Sequence, residues 1–184
     1  MQVEHTALPG VFVVTPKVFT DPRGWFMESY SFRELSRQLG VELRCVQENH
    51  LRSTRKGVLR GIHFQEQPFA QSKLVRCTVG RVMDYAVDLR RDSPTFRQWV
   101  CVELDADSHE QLFIPKGFGH AVVSLSEISE LQYMVDAPYS PEHDRAVRWD
   151  DPELDVRWPF AADELISSEK DRAAPYLKDI DSGR

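Results

Sequence analysis

Two histidines of this sequence stand in contexts that could support chemistry. His63 lies inside the apolar run Val58–Phe64, and His120 follows the turn-like segment Pro115–Gly119 at the start of another apolar run. An imidazole titrates near neutral pH and can act as a general base. The alternative for each is a histidine that is simply hydrogen bonded in the core. The other four histidines lie in polar, turn-like segments and are weaker candidates.

A metal site is the next possibility, but the spacing after His63 argues against it. Metal-binding double-stranded β-helix barrels carry a His-x-His pair, and here the second position is Gln65. Side chains two apart on a strand share a face, so this change removes a ligand where one is needed. Glu66 has the wrong parity to replace it. We therefore predict that the protein binds no metal.

Three further side chains are candidates for supporting roles. Lys73 opens a predicted strand, where it is either a solvated strand end or, inside a barrel, a group that stabilises an oxyanion. Tyr133 alternates with Leu131 and Val135, so it either packs in a core or serves as an acid. Asp84 is predicted to be a buried and paired carboxylate if its face of the strand points inward.

The elements that must position these residues are predicted to be mostly strands. Val82–Leu89 alternates with period two, which predicts a half-buried strand, and Gly80–Arg81 predicts a hairpin turn after the strand Leu74–Val79. Turn signals recur roughly every 8–12 residues, which favours a sandwich or jelly-roll barrel over alternating strands and helices. The further predicted strands are Trp99–Leu104, Gln111–Ile114, Ala121–Leu125 and Glu130–Val135.

Helices are predicted to be few and short. Ser31–Glu34 has the pattern of a capping box, and Gly40 ends the helix that follows it. A second short helix is predicted to begin near Ser167 or Ser168. These helices would lie at the periphery of the barrel.

Length, charge and cysteine content narrow the class of protein. The 184 residues contain no linker rich in Pro, Gly or Ser, which predicts a single domain, 1–184, whose segment 150–184 wraps the barrel. The net charge of -6 argues against binding to nucleic acid or an anionic membrane. We find no transmembrane run and no signal peptide. Three widely spaced cysteines favour free thiols in a cytoplasmic protein.

Eight short motifs stand together in the order found in one family. They are Asp21–Glu28, Gln47–Asn49, Lys56–Gln65, Lys73–Arg76, Val87–Phe96, Ile114–His120, Arg148–Pro152 and Ser168–Asp171. Over about Pro9–Pro175 the chain resembles the dTDP-4-dehydrorhamnose 3,5-epimerases. Each motif is moderately specific, whereas eight in order are highly specific. The resemblance implies a mostly-β fold of the cupin type, a double-stranded β-helix or jelly-roll barrel with a few short peripheral helices, and a homodimer.

The same resemblance implies a cofactor-independent isomerase of dTDP-L-rhamnose biosynthesis. It would epimerise dTDP-4-dehydro-6-deoxy-D-glucose at carbons 3 and 5 to dTDP-4-dehydro-L-rhamnose. By resemblance, His63 is the base and Asp171 orients it, while Lys73 stabilises the enolate oxygen and Tyr133 is the acid on the opposite face. The implied substrate-binding residues are Arg23, Glu28, Gln47, Glu48, Asn49, Arg60, His120, Tyr139, Asp144 and Lys170. Of these, Tyr139 stands where the family stacks on thymine.

One local feature of the sequence conflicts with a regular strand. Arg60 and His63 have opposite parity, so either Gly61 marks a bulge that re-aims one of them or Arg60 contacts the site less directly. Asp144 stands where the family usually has glutamate.

Two alternative functions stay open. One alternative is an epimerase acting at carbon 3 or carbon 5 only. The other is a cupin that binds a sugar nucleotide without catalysis, although such a protein needs no base and opposite-face acid.

Overall fold

The computed structural model describes residues 1–181, which form two β-sheets packed face to face and three short helices. The strands are β1 (Gln2–His5), β2 (Phe12–Thr15), β3 (Val18–Asp21), β4 (Gly24–Met27), β5 (Gln47–Ser53), β6 (Leu59–Gln65), β7 (Lys73–Val79), β8 (Arg81–Asp88), β9 (Trp99–Asp105), β10 (Gln111–Ile114), β11 (Phe118–Ser124), β12 (Ser129–Val135) and β13 (Asp144–Ala146). The helices are α1 (Phe32–Leu39), α2 (Glu169–Arg172) and α3 (Leu177–Asp181). The predicted mostly-β, cupin-type jelly roll is thereby confirmed.

The strand order explains how two sheets enclose one interior. The first sheet runs β1-β2-β10-β7-β12-β5 and the second runs β13-β6-β11-β8-β9, while β3 and β4 form a separate hairpin. The predicted hairpin turn at Gly80–Arg81 is wrong, because β7 and β8 belong to different sheets and the turn carries the chain between them. A turn signal marks where a strand ends but does not say which strand becomes its neighbour.

The barrel core lies between the two sheets. Val75 and Leu131 reach it from the six-stranded sheet, and Ala86 and Val122 reach it from the five-stranded sheet. Burying an aliphatic side chain completely contributes roughly 1.5–3 kcal/mol relative to leaving it exposed. This packing holds the two sheets at a fixed separation, so side chains from both can meet around one cavity.

Strand β8 is buried on both faces, so the prediction of a half-buried strand is wrong. Ala86 faces the barrel core, whereas Tyr85 packs in an outer layer against Trp158, with ring centroids 4.7 Å apart. Leu154 and Leu177 belong to the same outer cluster. The segment that follows β13 therefore covers the outside of the five-stranded sheet. Local alternation cannot reveal this cover, because it comes from a distant part of the chain.

Helix α1 lies where the sequence predicts, but its N-terminus differs in detail. Gly40 ends the helix with a left-handed φ of 69°, a conformation that glycine adopts without strain. Ser31 makes no capping hydrogen bond through its side chain, and Glu34 bonds to Arg37 and Gln38 instead. The predicted capping box is therefore wrong. The helix forms without it because burial of its apolar side supplies the stability.

Two further expectations concern thiols and membranes. Cys45, Cys77 and Cys101 are free, as predicted. Within residues 1–181, no helix has the length and apolar character needed to cross a membrane.

Candidate active site

A cavity of about 590 Å³ opens between the two sheets. Strands β6 and β11 of the five-stranded sheet form one wall, and β5, β7 and β12 of the six-stranded sheet form the opposite wall. The four predicted catalytic residues, His63, Lys73, Tyr133 and Asp171, all line this cavity. The structure therefore brings together residues that are up to 108 positions apart in the sequence.

His63 and Asp171 form a hydrogen-bonded pair at the cavity wall. The Nε2 atom of His63 lies 2.6 Å from Oδ1 of Asp171, so the carboxylate holds the proton on Nε2 and leaves Nδ1 as the basic nitrogen. Burial alone would raise the pKa of Asp171, but hydrogen bonds from His63 and from Ser168 outweigh it and lower that pKa. The carboxylate is therefore charged at neutral pH.

The N-terminus of α2 delivers Asp171 to this position. The hydroxyl of Ser168 accepts a hydrogen bond from the backbone N–H of Asp171 at 3.1 Å, which makes Ser168 the N-cap. The predicted helix start near Ser167 or Ser168 is confirmed, with Ser168 as the N-cap. The cap fixes the first turn of a very short helix, and Asp171 points from that turn toward β6.

A bulge in β6 solves the parity conflict between Arg60 and His63. Two residues separate them on β6, whereas one residue separates their partners on β11, so the register shifts between the two pairs. Gly61 lies in the bulge with a φ of 132°, and a Cβ there would come within 2.5 Å of the Ala121 Cβ. The predicted bulge at Gly61 is confirmed, and it lets both side chains line the cavity.

Lys73 is a buried cation at the start of β7. Its side chain is almost inaccessible to solvent, and burial lowers its pKa from 10.5 to about 8, although Asp84 and Asp144 oppose that change. The Lys73 side chain is therefore mostly protonated at pH 7. A buried ammonium group in a cavity is suited to stabilising negative charge that develops on an oxygen atom.

Tyr133 faces the histidines from the other sheet. Its ring centroid lies 6.3 Å from that of His120, and the Lys73 Nζ lies 5.9 Å from the same ring. Burial raises the pKa of the Tyr133 hydroxyl, which therefore keeps its proton at neutral pH. A neutral phenol held in a cavity can donate that proton to a carbanion.

A second histidine–carboxylate pair lies beside the first. The Nε2 atom of His120 is 2.5 Å from Oδ1 of Asp84, whose side chain is completely buried. The prediction that Asp84 is buried and paired is confirmed. Burial lowers the pKa of His120, and the Asp84 carboxylate only partly opposes this. Sequence reasoning did not identify His120 as the partner, because the two residues meet across paired strands β8 and β11.

Gln65, which stands where metal-binding barrels have the second histidine of the His-x-His pair, has a structural role. Its amide nitrogen donates to the carbonyls of Phe69 and Pro138, and its amide oxygen accepts from the backbone N–H of Ser140. The side chain therefore joins two loops beside the cavity. Among residues 1–181, no three His, Cys, Asp or Glu side chains are grouped so that they could hold a metal ion.

Three predicted substrate-binding residues meet at the cavity mouth. Asp144 Oδ2 accepts hydrogen bonds from the Lys170 Nζ at 2.7 Å and from the Tyr139 hydroxyl at 3.3 Å. The Tyr139 backbone N–H also donates to the Gln47 side chain at 3.0 Å. Tyr139 is 54% exposed and lies at the rim of the cavity.

Five further predicted binding residues are not among those that line the cavity. Gln47 and Asn49 hydrogen bond to each other on β5 and share the face of Leu51, which lines the cavity, whereas Glu48 is exposed and has the opposite parity. Arg23 lies on the exposed β3–β4 hairpin and is bonded to Asp21. Glu28 follows that hairpin and is also exposed. Neither of these two residues lines the cavity of its own chain.

The fold and the site together define a cupin-type isomerase. Its barrel holds a carboxylate-bonded histidine, a buried lysine and a phenol around one cavity. The family model described as dTDP-4-dehydrorhamnose 3,5-epimerase matches residues 5–179. The chain belongs to the dTDP-4-dehydrorhamnose 3,5-epimerase family.

Known relatives cover nearly the whole chain. A dTDP-4-dehydrorhamnose 3,5-epimerase of Salmonella typhimurium is 48% identical over 177 residues, which is 96% of each chain. The crystal structure of a dTDP-6-deoxy-D-glucose-3,5-epimerase from Legionella pneumophila, in complex with dTDP-4-keto-L-rhamnose, has a TM-score of 0.93 at 40% identity and covers 99% of this chain and 95% of that one. A 3'-monoepimerase from Streptomyces bikiniensis, in complex with dTDP-quinovose, has a TM-score of 0.88 at 31% identity, with 96% and 88% covered.

Proposed function

We propose that this protein epimerises dTDP-4-dehydro-6-deoxy-D-glucose at carbons 3 and 5, giving dTDP-4-dehydro-L-rhamnose in dTDP-L-rhamnose biosynthesis. The observation that carries this proposal is the placement of a hydrogen-bonded His63–Asp171 pair and of Tyr133 on opposite walls of one cavity. Epimerisation requires removal of a proton from one face of the sugar and delivery of a proton to the other. The two walls supply a base and an acid in that arrangement.

Proton removal is assigned to His63. Carbons 3 and 5 both neighbour the 4-keto group, so a carbanion formed at either carbon is stabilised as an enolate. Nδ1 of His63 takes the proton, and the imidazolium that results is stabilised by the charged Asp171 carboxylate 2.6 Å from Nε2. The reaction needs no cofactor, because the ketone accepts the electron pair.

Stabilisation of the negative charge that moves onto the ketone oxygen is assigned to Lys73. Its ammonium group is buried in the same cavity, where an electrostatic interaction is stronger than in water. Tyr133 then returns a proton to the carbon from the opposite sheet. The configuration inverts because the proton leaves toward the five-stranded sheet and is replaced from the six-stranded sheet.

The dTDP group is assigned to the cavity mouth. Tyr139 offers an exposed ring on which thymine can stack, while Lys170 and Arg60 provide positive charge for the diphosphate. His120, Gln47 and Asn49 are assigned to the sugar and nucleotide contacts that the family resemblance implies. Asp144 organises this region by bonding to both Tyr139 and Lys170.

We also propose that residues 1–184 form one cytoplasmic domain and that the protein is a homodimer. The β3–β4 hairpin carries Trp25 and Phe26, which are 58% and 69% exposed, and also Arg23. Phe26 lies directly opposite Phe19, which is 53% exposed, and such neighbouring exposed aromatic side chains favour burial against a partner. In a dimer, this hairpin would bring Arg23 and Glu28 to the cavity of the partner subunit.

A second candidate is an epimerase that acts at only one carbon. The similarity to a 3'-monoepimerase of Streptomyces bikiniensis favours it, because one base and one acid can serve either one carbon or two. The position of the sugar relative to His63 decides which carbon is reached.

Proton NMR in D₂O distinguishes these functions. The enzyme is incubated with dTDP-4-keto-6-deoxyglucose, exchange is followed separately at carbons 3 and 5, and the product is trapped with a reductase that accepts the L-rhamno sugar. Exchange at both carbons with a trapped product supports the 3,5-epimerase. Exchange at one carbon supports the monoepimerase, and no exchange contradicts both.

A further inference from the structure

The carboxylate of Asp84 is bonded to His120, which lines the cavity, and takes no part in the proposed proton transfers. Its Oδ1 atom accepts a hydrogen bond from His120 at 2.5 Å. Its Oδ2 atom is equally buried and has no hydrogen-bond partner among residues 1–181. A buried carboxylate that accepts one hydrogen bond is costly unless a positive charge lies nearby. The surroundings of Asp84 must therefore supply that charge.

His120 does not supply the charge, and Lys73 does. Burial lowers the pKa of His120, so its imidazole is neutral at neutral pH. Lys73 enters the same interior from the opposite sheet, with only 8% of its surface exposed. Among the acidic groups that act on Lys73, Asp84 has the largest effect and Asp144 the next. Asp84 and Lys73 are thus two buried groups of opposite charge, and the ion-pair partner of Asp84 among residues 1–181 is His120.

We propose that Asp84 is a positioning residue for the epimerisation: its buried carboxylate holds His120 in place and keeps the Lys73 side chain protonated where the enolate oxygen forms. This inference rests on the proposed function, because the charge on Lys73 matters for an enolate. It assigns the second histidine–carboxylate pair a task different from that of His63 and Asp171. The first pair moves a proton, and the second sets the charge of the group that stabilises the oxyanion.

The other groups that face Lys73 do not replace Asp84. The titratable and charged side chains that line the cavity together with Lys73 are Arg60 and His63 on β6, His120 on β11, Tyr133 on β12, Tyr139 and Asp144 near β13, and Lys170 and Asp171 on α2, while Asp84 on β8 lies against His120. Tyr133 is neutral because burial raises its pKa, and Asp144 is already bonded to Lys170 at the mouth. Asp84 is completely buried, where charges are least screened.

NMR titration of the lysine side chains tests the proposal independently of activity. The chain has six lysines, so the Cε signals of protein labelled with ¹³C-lysine are few, and Lys73→Arg identifies the signal of Lys73. In the native chain this signal should titrate near pH 8. Asp84→Asn removes the charge with little change in shape and should lower the midpoint by about one pH unit or more.

Two further variants make the comparison specific. Asp88→Asn is the matched control, since Asp88 is a fully buried carboxylate on the same strand that bonds to Arg90, Ser93 and Thr95 instead. It should leave the Lys73 midpoint unchanged. Asp144→Asn should lower the midpoint by less than Asp84→Asn does, because Asp84 acts more strongly on Lys73.

Enzyme activity provides a second readout and separates the inference about Asp84 from the proposed function. In Asp84→Asn, the pH at which proton exchange declines on the alkaline side should fall together with the Lys73 midpoint. If the native enzyme exchanges no proton at either carbon, the proposed function fails while the titration still reports on Asp84. If Asp84→Asn folds and Lys73 titrates as in the native chain, the inference is overturned. Should Asp84→Asn not fold, the carboxyl carbon of Asp84 in the native chain must report the Lys73 titration near pH 8, and a flat signal there overturns it.

Discussion

His63 and His120 lie directly opposite each other on the paired strands β6 and β11. Each ring uses its Nε2 atom to bond a carboxylate, Asp171 for His63 and Asp84 for His120. The first carboxylate comes from a helix outside the barrel and the second from a strand within it. His63 remains about one-third exposed to the cavity, whereas His120 is nearly enclosed. Two histidines with the same bonding pattern are therefore suited to different tasks.

Because His63 is the proposed base, replacing it should slow proton exchange. His63→Asn is expected to lower proton exchange at both carbons by about 10²–10⁴-fold, the usual contribution of a general base. The matched control is His50→Asn, because His50 is exposed and pairs with Glu130 on the surface of the barrel. Exchange rates measured by NMR in D₂O check both variants. Full exchange by His63→Asn would show that another group is the base.

Replacing Tyr133 should separate the two proton transfers. Tyr133→Phe keeps the ring but removes the acidic proton, so product formation should fall by about 10²–10⁴-fold while proton removal is less affected. Loss of substrate hydrogen in D₂O is compared with the amount of trapped product. The control is Tyr30→Phe, since the Tyr30 hydroxyl bonds to the Leu43 carbonyl away from the cavity. An equal fall in both transfers would contradict the role of Tyr133 as acid.

The charge of Lys73 should define the alkaline limit of activity. Its pKa of about 8 means that the ammonium form, to which we assign stabilisation of the enolate oxygen, is lost as pH rises through 8. The rate of proton exchange should therefore decline above about pH 8. Lys73→Arg keeps its charge throughout this range, so whatever activity it retains should not decline there. A native rate that is constant from pH 7 to pH 10, with chemistry limiting, would exclude this role.

The β3–β4 hairpin should control both assembly and nucleotide binding. Phe26→Ser removes an exposed apolar ring, so it should shift the protein toward a monomer in analytical ultracentrifugation and weaken dTDP binding in calorimetry. Val79→Ser is the control, because Val79 is also exposed but lies at the end of β7 rather than on the hairpin. A native protein that sediments as a monomer would refute the proposed homodimer.

Asp88 should make stability depend on pH. Burial alone would raise its pKa, but hydrogen bonds from Arg90, Ser93 and Thr95 outweigh that effect and lower it from 3.8 to about 2. A lowered pKa in the folded state stabilises the fold above the unfolded value, and this contribution is lost as pH falls toward 2. Asp88→Asn should therefore reduce the free energy of unfolding by about 2 kcal/mol at pH 7.

Urea unfolding checks this at two pH values. The difference between the native chain and Asp88→Asn should fall to roughly half at pH 3, because Asp88 is then increasingly protonated in the unfolded state. Asp150→Asn serves as the control, since Asp150 pairs with Arg148 at the surface and should change stability by less than about 1 kcal/mol. A difference that is the same at both pH values would contradict the assignment to the Asp88 charge.

Local patterns predicted the parts of this structure that depend on nearby residues. Period two located β8, apolar runs between turn signals located β7 and β9–β12, Ser168 marked the start of α2, and Gly61 signalled the bulge in β6. What the sequence did not reveal depends on distant contacts. The turn at Gly80 joins two sheets rather than two neighbours, and β8 is covered by a segment some 70 residues away, as the bond from the Tyr85 hydroxyl to the Arg157 carbonyl illustrates.

The distance between His63 and Asp171 along the chain also sets an order of events during synthesis. The ribosome proceeds from the N-terminus, so the strand with His63 emerges 108 residues before the carboxylate that orients it. When β6 and β11 are both made, the segment that lines the rest of the cavity, Ile166–Asp171, has yet to follow. Under the proposed mechanism, catalysis therefore begins only when the segment with Asp171 docks on the barrel. Under the same mechanism, incomplete products of translation that lack this segment would be inactive.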